Sequence, residues 1–490
     1  MAKIAKTFGI FACFYCMNTI LVWFRNDLRL LDHEALYKAC QKSTQIIPVF
    51  CFDTRQIALT SHKFRKTDAI RWQFLIESVA DLAKNIEAKG GKLHIATGKP
   101  EQVIAELAVK YKVSSVFYHK EVTAEETKVE VALEKNLAGS GIKTESFWGS
   151  TLYHLADLPF SVARMPDVFT NFRKACEITN RVRSTFSAPI KITVPADLPL
   201  SVVPSLASFG FEPIAAAEPK GVLHFLGGES HAEARLKHYF WEQNCLKDYK
   251  ETRNGLLGAD YSSKFSAWLA LGCISPRRIY EEIKFYEQQR ISNASTYWLI
   301  FELIWRDFFR FIALKNGNSL FFDGENRPHS KVIKQNNALF EAWKNGETGF
   351  PFIDANMQEL NKTGFMSNRG RQNVASFLVH DLKCSWYAGA AYFESKLIDY
   401  DPCSNYGNWK YVAGVGNDPR ENRYFNTIKQ AKDYDPQANF TKYWLPELKN
   451  LPKNLAFEPF IATTKELAEC GVVLGVSYPN PVIKLGRKTY

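Results

Sequence analysis

The hydrophobic pattern of the chain changes character near residue 228. Before it, short apolar runs alternate with amphipathic segments. T-I-L-V-W-F, from Thr19, and I-I-P-V-F-C-F, from Ile46, are unbroken apolar runs of strand length, as expected for strands covered on both faces. Ile70, Phe74, Leu75, Val79 and Leu82 recur at helical spacing, so 70–86 predicts a helix. K-L-H-I-A, a helix around 103–111 and the strand S-S-V-F-Y-H continue the rhythm. Strand and helix alternating in this way predict an α/β, doubly wound parallel sheet over 17–150. Neither G-x-G-x-x-G nor a Walker A sequence is present, so nothing marks a dinucleotide or nucleoside triphosphate on its first turn.

Residues 151–225 lose this regularity and are rich in proline, as in an interdomain connector, with one helix expected near 168–183. From 226 to 450 the pattern is helical, which predicts an all-α second domain, with 451–490 as a tail. G-G-E-S-H-A-E-A-R-L-K-H-Y-F opens it like a capped helix. T-Y-W-L-I-F-E-L-I-W-R-D-F-F-R-F-I-A-L is apolar nearly all round and should be buried. It nevertheless carries Glu302, Arg306 and Asp307; Glu302 and Arg306, four apart, read as an internal i,i+4 ion pair.

Composition narrows the partner. A net charge of +11 over 490 residues favours a polyanion, nucleic acid before membrane. No stretch is long and apolar enough for a bilayer. Of ten cysteines only Cys13 and Cys16 form a C-x-x-C pair, so no metal site is expected and reduced thiols in the cytoplasm fit best. Residues 1–16 form an extension with two lysines and a short apolar run, a weak organelle-targeting signal or sequence upstream of a start at Met17.

Two stretches carry the chemistry. In T-G-F-M-S-N-R-G-R-Q-N-V-A-S-F-L, Asn368, Arg371 and Gln372 fall on the first turn of a helix whose body faces a core. In L-I-D-Y-D-P-C-S-N-Y-G-N-W-K-Y, Asp399, Asp401 and Asn405 lie close together among apolar residues. Charges so placed are costly without partners, so an Arg–Asp pair around a polar cofactor is expected; two surface loops are the alternative. Upstream, Ser262, Ser263, Lys264 and Ser266 precede an apolar helix, and hydroxyls, backbone N–H groups and one ammonium make an anion cradle.

N-R-G-R-Q, L-I-D-Y-D-P-C-S-N-Y-G-N-W and G-V-G-N-D-P-R-E-N-R-Y-F resemble the flavin-binding core of the photolyase/cryptochrome family, and in detail its DASH-type cryptochromes. W-F-R-N-D-L-R-L and T-G-F-P-F-I-D-A-N-M-Q-E-L are similar to further family segments, and the likeness runs from about Thr19 to about Leu451. The resemblance implies FAD held by Tyr249, Ser262, Ser263, Lys264, Phe265, Ser266, Glu302, Arg306, Asn368, Arg371, Asp399, Asp401 and Asn405. It implies a catalytic set of Glu302, Trp305, Asn368, Gln372 and Tyr411, with Trp409 and Trp386 carrying electrons. The outer tryptophan of the family's electron path falls at Ile333, an aliphatic residue. Glu121, just after a predicted strand, would contact a 5,10-methenyltetrahydrofolate antenna; a solvated loop carboxylate is the other reading. The implied activity is light-driven repair of cyclobutane pyrimidine dimers by a monomer, mainly in single-stranded DNA, because Gln372 and Tyr411 stand where photolyases resemble one another in holding Met and Trp. Blue-light signalling is the alternative.

Overall fold

β1 (Thr19–Phe24) is buried along its whole length and sits at the centre of a five-stranded parallel sheet of order β3-β2-β1-β4-β5. The computed structural model describes residues 18–179, 181–214, 222–322, 336–416 and 424–484. β2 (Gln45–Asp53), β3 (His94–Gly98), β4 (Ser115–His119) and β5 (Lys143–Phe147) complete the sheet. Leu21 pairs with Ile47 on one side and Val116 on the other. Because side chains alternate along a strand, Leu21 and Trp23 join one core with Ile104 and Leu133. Ile20, Val22 and Phe24 join another with Val79 and Leu82. The helices covering these faces are α1 (Glu34–Lys42), α2 (Ala69–Glu87), α3 (Pro100–Lys110) and α4 (Ala124–Leu137).

β5, K-T-E-S-F, escapes a hydrophobic reading because it is an edge strand, only partly covered and paired to β4 alone. The connector's helix spans Phe169–Thr179. The helix that opens on G-G-E-S starts at Glu229, with Gly228 as N-cap and no side-chain cap. Glu229 instead accepts the backbone N–H groups of Leu30 (2.8 Å) and Leu31 (2.9 Å), so a local capping pattern serves a contact between domains.

The W-F-R-N-D-L-R-L loop, at the carboxyl end of β1, is where the two domains lock. Arg29 donates to the carbonyls of Gly272 (2.9 Å) and Gly149 (3.1 Å), and Leu28 N–H to Leu271 (3.1 Å). Gly272 has φ +62°, and a Cβ there would meet the Asn26 carbonyl oxygen at 2.1 Å, so the approach requires glycine. Asp27 of this loop, His33 at the start of α1 and His119 at the end of β4 form a buried trio. His33 Nδ1 accepts Leu36 N–H, so its Nε2 carries the proton and faces Asp27 Oδ2 at 3.0 Å; His119 Nδ1 lies 2.7 Å from the same oxygen. Burial acts to raise the Asp27 carboxyl, but the two histidines outweigh it and hold it well below its usual range.

The long helix Ala294–Asn316, opened by an Asn293/Thr296 capping box, is the axis of the helical domain. Its Asp307 accepts N–H from Leu152 (2.9 Å) and Tyr153 (2.8 Å), fastening the start of the connector. The stretch beyond 450 packs Leu451, Phe457, Leu467 and Tyr478 around Phe352 and Phe440. Tyr478 donates to Asp354 at 2.6 Å.

Candidate functional site

Two helix starts, the middle of a third helix and one loop converge on a cavity of about 470 Å3. The helix Asn368–Ser376 begins with Ser367 Oγ accepting Gly370 N–H (3.0 Å), which orients Asn368, Arg371 and Gln372 on its first turn. The helix Pro402–Val412 begins with Asp401 accepting Ser404 N–H (2.7 Å) and proline at its first position. That helix brings Asn405, Trp409 and Tyr411 to the cavity, and Asp399 and Asp401 enter just ahead of it. The middle of the long helix contributes Glu302, Trp305 and Arg306. The loop before the short helix Ser266–Ala270 contributes Ser262, Ser263, Lys264, Phe265 and Ser266, and Tyr249 closes the wall.

The charges are paired, though not all as the spacing suggests. Arg371 Nη2 donates to Asp399 Oδ2 at 2.8 Å and its Nε to the Met366 carbonyl at 2.9 Å. Asp399 Oδ1 is buried without a protein partner. The Glu302–Arg306 pair expected from i,i+4 spacing does not form. Glu302 pairs with Arg253 at 2.9 Å, while Arg306 donates to the carbonyls of Ser150 and Leu269. Helical spacing makes two side chains neighbours, but Arg306 finds carbonyl acceptors on Ser150, just ahead of the connector, and on Leu269 of the Ser266 helix. Burial raises the Glu302 carboxyl and Arg253 opposes the rise. Arg253 also lines the cavity and carries no motif signal beyond the T-R-N of its helix end.

Lys264 is buried with φ +57°, a left-handed conformation unusual for a residue with a Cβ. Its Nζ donates to the Gly258 carbonyl (2.9 Å) and lies 4.1 Å from the Tyr261 ring centroid. Burial lowers its pKa to about 8. Buried Arg235 supports this loop from behind, donating to the carbonyls of Ser262 (3.0 Å) and Ser263 (3.1 Å) and to Asp260 (2.6 Å). Asn405 Nδ2 donates to the Ala390 carbonyl (3.0 Å); since a carbonyl only accepts, the amide offers Oδ1 as its other polar end. Trp305 stacks on Phe169, centroids 3.5 Å apart, and meets Tyr411 edge-on at 6.1 Å.

Trp409 lines the cavity, packed against Phe393 and Trp343. Trp386 lies outside the cavity lining and packs on Tyr387 and Tyr406. Ile333, residues 1–16 with Cys13 and Cys16, and 417–423 of the G-V-G-N-D-P-R motif lie outside the described residues.

Glu121 belongs to a second cavity of about 1000 Å3 at the carboxyl ends of β1 and β2. It is no solvated loop carboxylate: it is buried and accepts from Arg310, with Asn26 Nδ2 at 3.3 Å. Arg310 Nη1 also lies 3.7 Å from Asp401, and Ala270, Arg306, Tyr400 and Asp401 line both cavities. Among the described residues no helix is long and apolar enough to cross a membrane.

Residues 20–191 match the DNA photolyase family, and 298–489 match the FAD binding domain of DNA photolyase. The chain is 52% identical over 466 residues to cryptochrome DASH of Synechocystis, covering 95% of each. It is 51% identical over 437 residues to the chloroplastic/mitochondrial cryptochrome DASH of Arabidopsis thaliana, covering 88% of this chain and 76% of that one. The crystal structure of a Synechocystis cryptochrome superposes with a TM-score of 0.92 at 52% identity, covering 95% of this chain and 96% of that one. A bacterial class III photolyase from Agrobacterium tumefaciens superposes at 0.82 with 29% identity, covering 97% and 96%. Two domain matches, full-length relatives and a parallel sheet joined to a helical FAD-binding domain lead to one assignment: this chain belongs to the photolyase/cryptochrome family, with the DASH cryptochromes as its near relatives.

Proposed function

We propose that this protein uses blue light to repair cyclobutane pyrimidine dimers, mainly in single-stranded DNA, with FAD in the 470 Å3 cavity. The observation that carries the FAD site is Asp399, whose side chain is buried with one oxygen on Arg371 and the other without a protein partner. A buried carboxylate oxygen costs free energy unless a donor reaches it, and a flavin's polar edge supplies N–H groups. At the other wall, Lys264 and the serines around it offer a cation and hydroxyls to a pyrophosphate. Bound there in its reduced form, FAD would supply light-driven electron donation to a dimer.

The chain's own residues admit the lesion and exclude water. Trp305, braced by Phe169, and Tyr411, edge-on to it, form an apolar wall; Glu302, Asn368 and Gln372 add polar groups for base edges. The Arg253–Glu302 pair holds that carboxylate in one place. A dimer must leave its stack to enter, at a cost of roughly a few kcal/mol that is least in single strands. Each base–aromatic stack returns about 1–3 kcal/mol. Tyr411 offers a smaller ring than the Trp of photolyases and Gln372 a polar amide, so the return is reduced, which supports repair of single strands over duplexes. The larger cavity, with Glu121 inside it, fits a 5,10-methenyltetrahydrofolate antenna.

Repair of one thymine dimer in matched single-stranded and duplex oligonucleotides under blue light tests the proposal. Single strands should be repaired and duplexes poorly. Equal repair of both would remove the argument from Gln372 and Tyr411. Repair of neither, with FAD retained, would turn the reading to a light receptor.

A further inference from the structure

Resting on that reading, we propose that Arg369, which lies outside the cavity, is a positioning residue for lesion recognition. It fixes the Gln372 amide so that the cavity wall presents an N–H donor to a carbonyl of the extruded pyrimidine. Arg369 Nη1 donates to Gln372 Oε1 at 3.0 Å. A guanidinium carries only donors, so the amide atom it holds is the oxygen, and the NH2 end is the one left to the cavity that Gln372 lines. The two residues are three apart on one helix, whose first turn is itself held by the Ser367 cap.

Arg369 is in turn held in place. Its guanidinium lies over the Tyr434 ring, 4.3 Å from the centroid, and its Nη2 points to Asn254 Oδ1 at 3.4 Å. Tyr434 and Asn254 come from segments far apart in sequence, so tertiary packing fixes the guanidinium and the guanidinium fixes the amide. A free glutamine would lose rotamer freedom on binding, whereas a clamped one has lost it beforehand. Thymine and uracil carry carbonyl acceptors on the edges where cytosine has an amino donor, so a fixed donor favours the first two. Gln372 thereby exchanges apolar stacking for directed hydrogen bonding, a trade suited to bases already unstacked.

The test is a double-mutant cycle of wild type, Arg369→Ala, Gln372→Met and the double variant, on single-stranded oligonucleotides with and without a thymine dimer. Each single variant should weaken dimer binding about threefold to tenfold, the worth of one hydrogen bond, and leave the dimer-free strand unaffected. The double variant should be no weaker than the worse single one. Gln372→Glu keeps an acceptor for Arg369 but removes the donor, so it should fold normally, retain FAD and lose the preference for the dimer. Additive losses, or equal losses on both oligonucleotides with a salt slope shallower by about 0.7, would make Arg369 a plain phosphate contact and overturn the proposal. A wild type that holds FAD but binds both oligonucleotides equally would overturn the functional reading itself, and this role with it.

Discussion

The Trp409 indole stands edge-on to Trp343, ring centroids 6.2 Å apart at 74°, while Trp386 packs on Tyr406 at 6.5 Å. Trp409 lines the proposed FAD cavity, and the rings packed on it are Trp343 and Phe393, while Trp386 packs on Tyr387 and Tyr406. Trp343 is fully buried and donates its indole N–H to the Val374 carbonyl at 2.9 Å. A carbonyl is not a base, so an oxidised Trp343 would keep its proton. Trp409→Phe should nearly abolish flavin photoreduction, read by transient absorption. Trp343→Phe should shorten the charge-separated state if Trp343 serves as the terminal donor that the aliphatic Ile333 cannot be. Unchanged lifetimes in Trp343→Phe, with Trp386→Phe inactive, would assign the path to Trp386 alone.

Gly389 holds Trp409 where it is. A Cβ on Gly389 would lie 2.4 Å from the Trp409 ring and 2.6 Å from Leu378. Gly389→Ala should therefore displace the indole and destabilise the protein by about 1–3 kcal/mol, the usual cost of overpacking. Denaturant unfolding measures the cost, and a weaker photoreduction yield at full FAD occupancy would report the displaced ring.

Arg371→Ala leaves Asp399 buried without a counter-charge. Removing one partner of a buried pair costs about 3–5 kcal/mol. The variant should emerge from gel filtration with little bound FAD and a lower unfolding midpoint. Full flavin retention with unchanged stability would remove the Arg371–Asp399 pair from the proposed cofactor site.

Stability should fall as pH rises through the neutral range. Burial lifts the Asp307 carboxyl to about 7, against the opposing hydrogen bonds from Tyr153 and Leu152. Its unfolded value is about 4, so between these values the folded state holds a proton that the unfolded chain has released. Its stabilising contribution is thus complete below about pH 4, declines up to about pH 7 and is flat above. Burial also raises Glu229, to about 7, which steepens the same slope, whereas the lowered Asp27 acts in the opposite sense only at acid pH. Urea unfolding at pH 5.5, 6.5 and 8 should show the decline, and Asp307→Asn should flatten it. A slope unchanged in Asp307→Asn would place the effect on other carboxyls.

Local periodicity alone determined much of this protein. β1, β2 and β4 announce themselves as apolar runs because both faces of a parallel sheet are covered, and the long helix because its whole circumference is buried. The convergence of Asn368, Arg371, Asp399 and Asn405 was legible as well, since charges and amides set against apolar residues require partners. β5 was not legible, because a half-covered edge strand needs no apolar pattern. Which partner each charge takes was decided only by the tertiary structure. Glu302 passes over Arg306, one turn along its own helix, for Arg253, and Glu121 is drawn from its loop to Arg310, 189 positions away. The physical reason is range: spacing along a chain reports neighbours within about one helical turn, whereas ion pairs and hydrogen bonds are chosen among all groups that packing brings within a few ångströms.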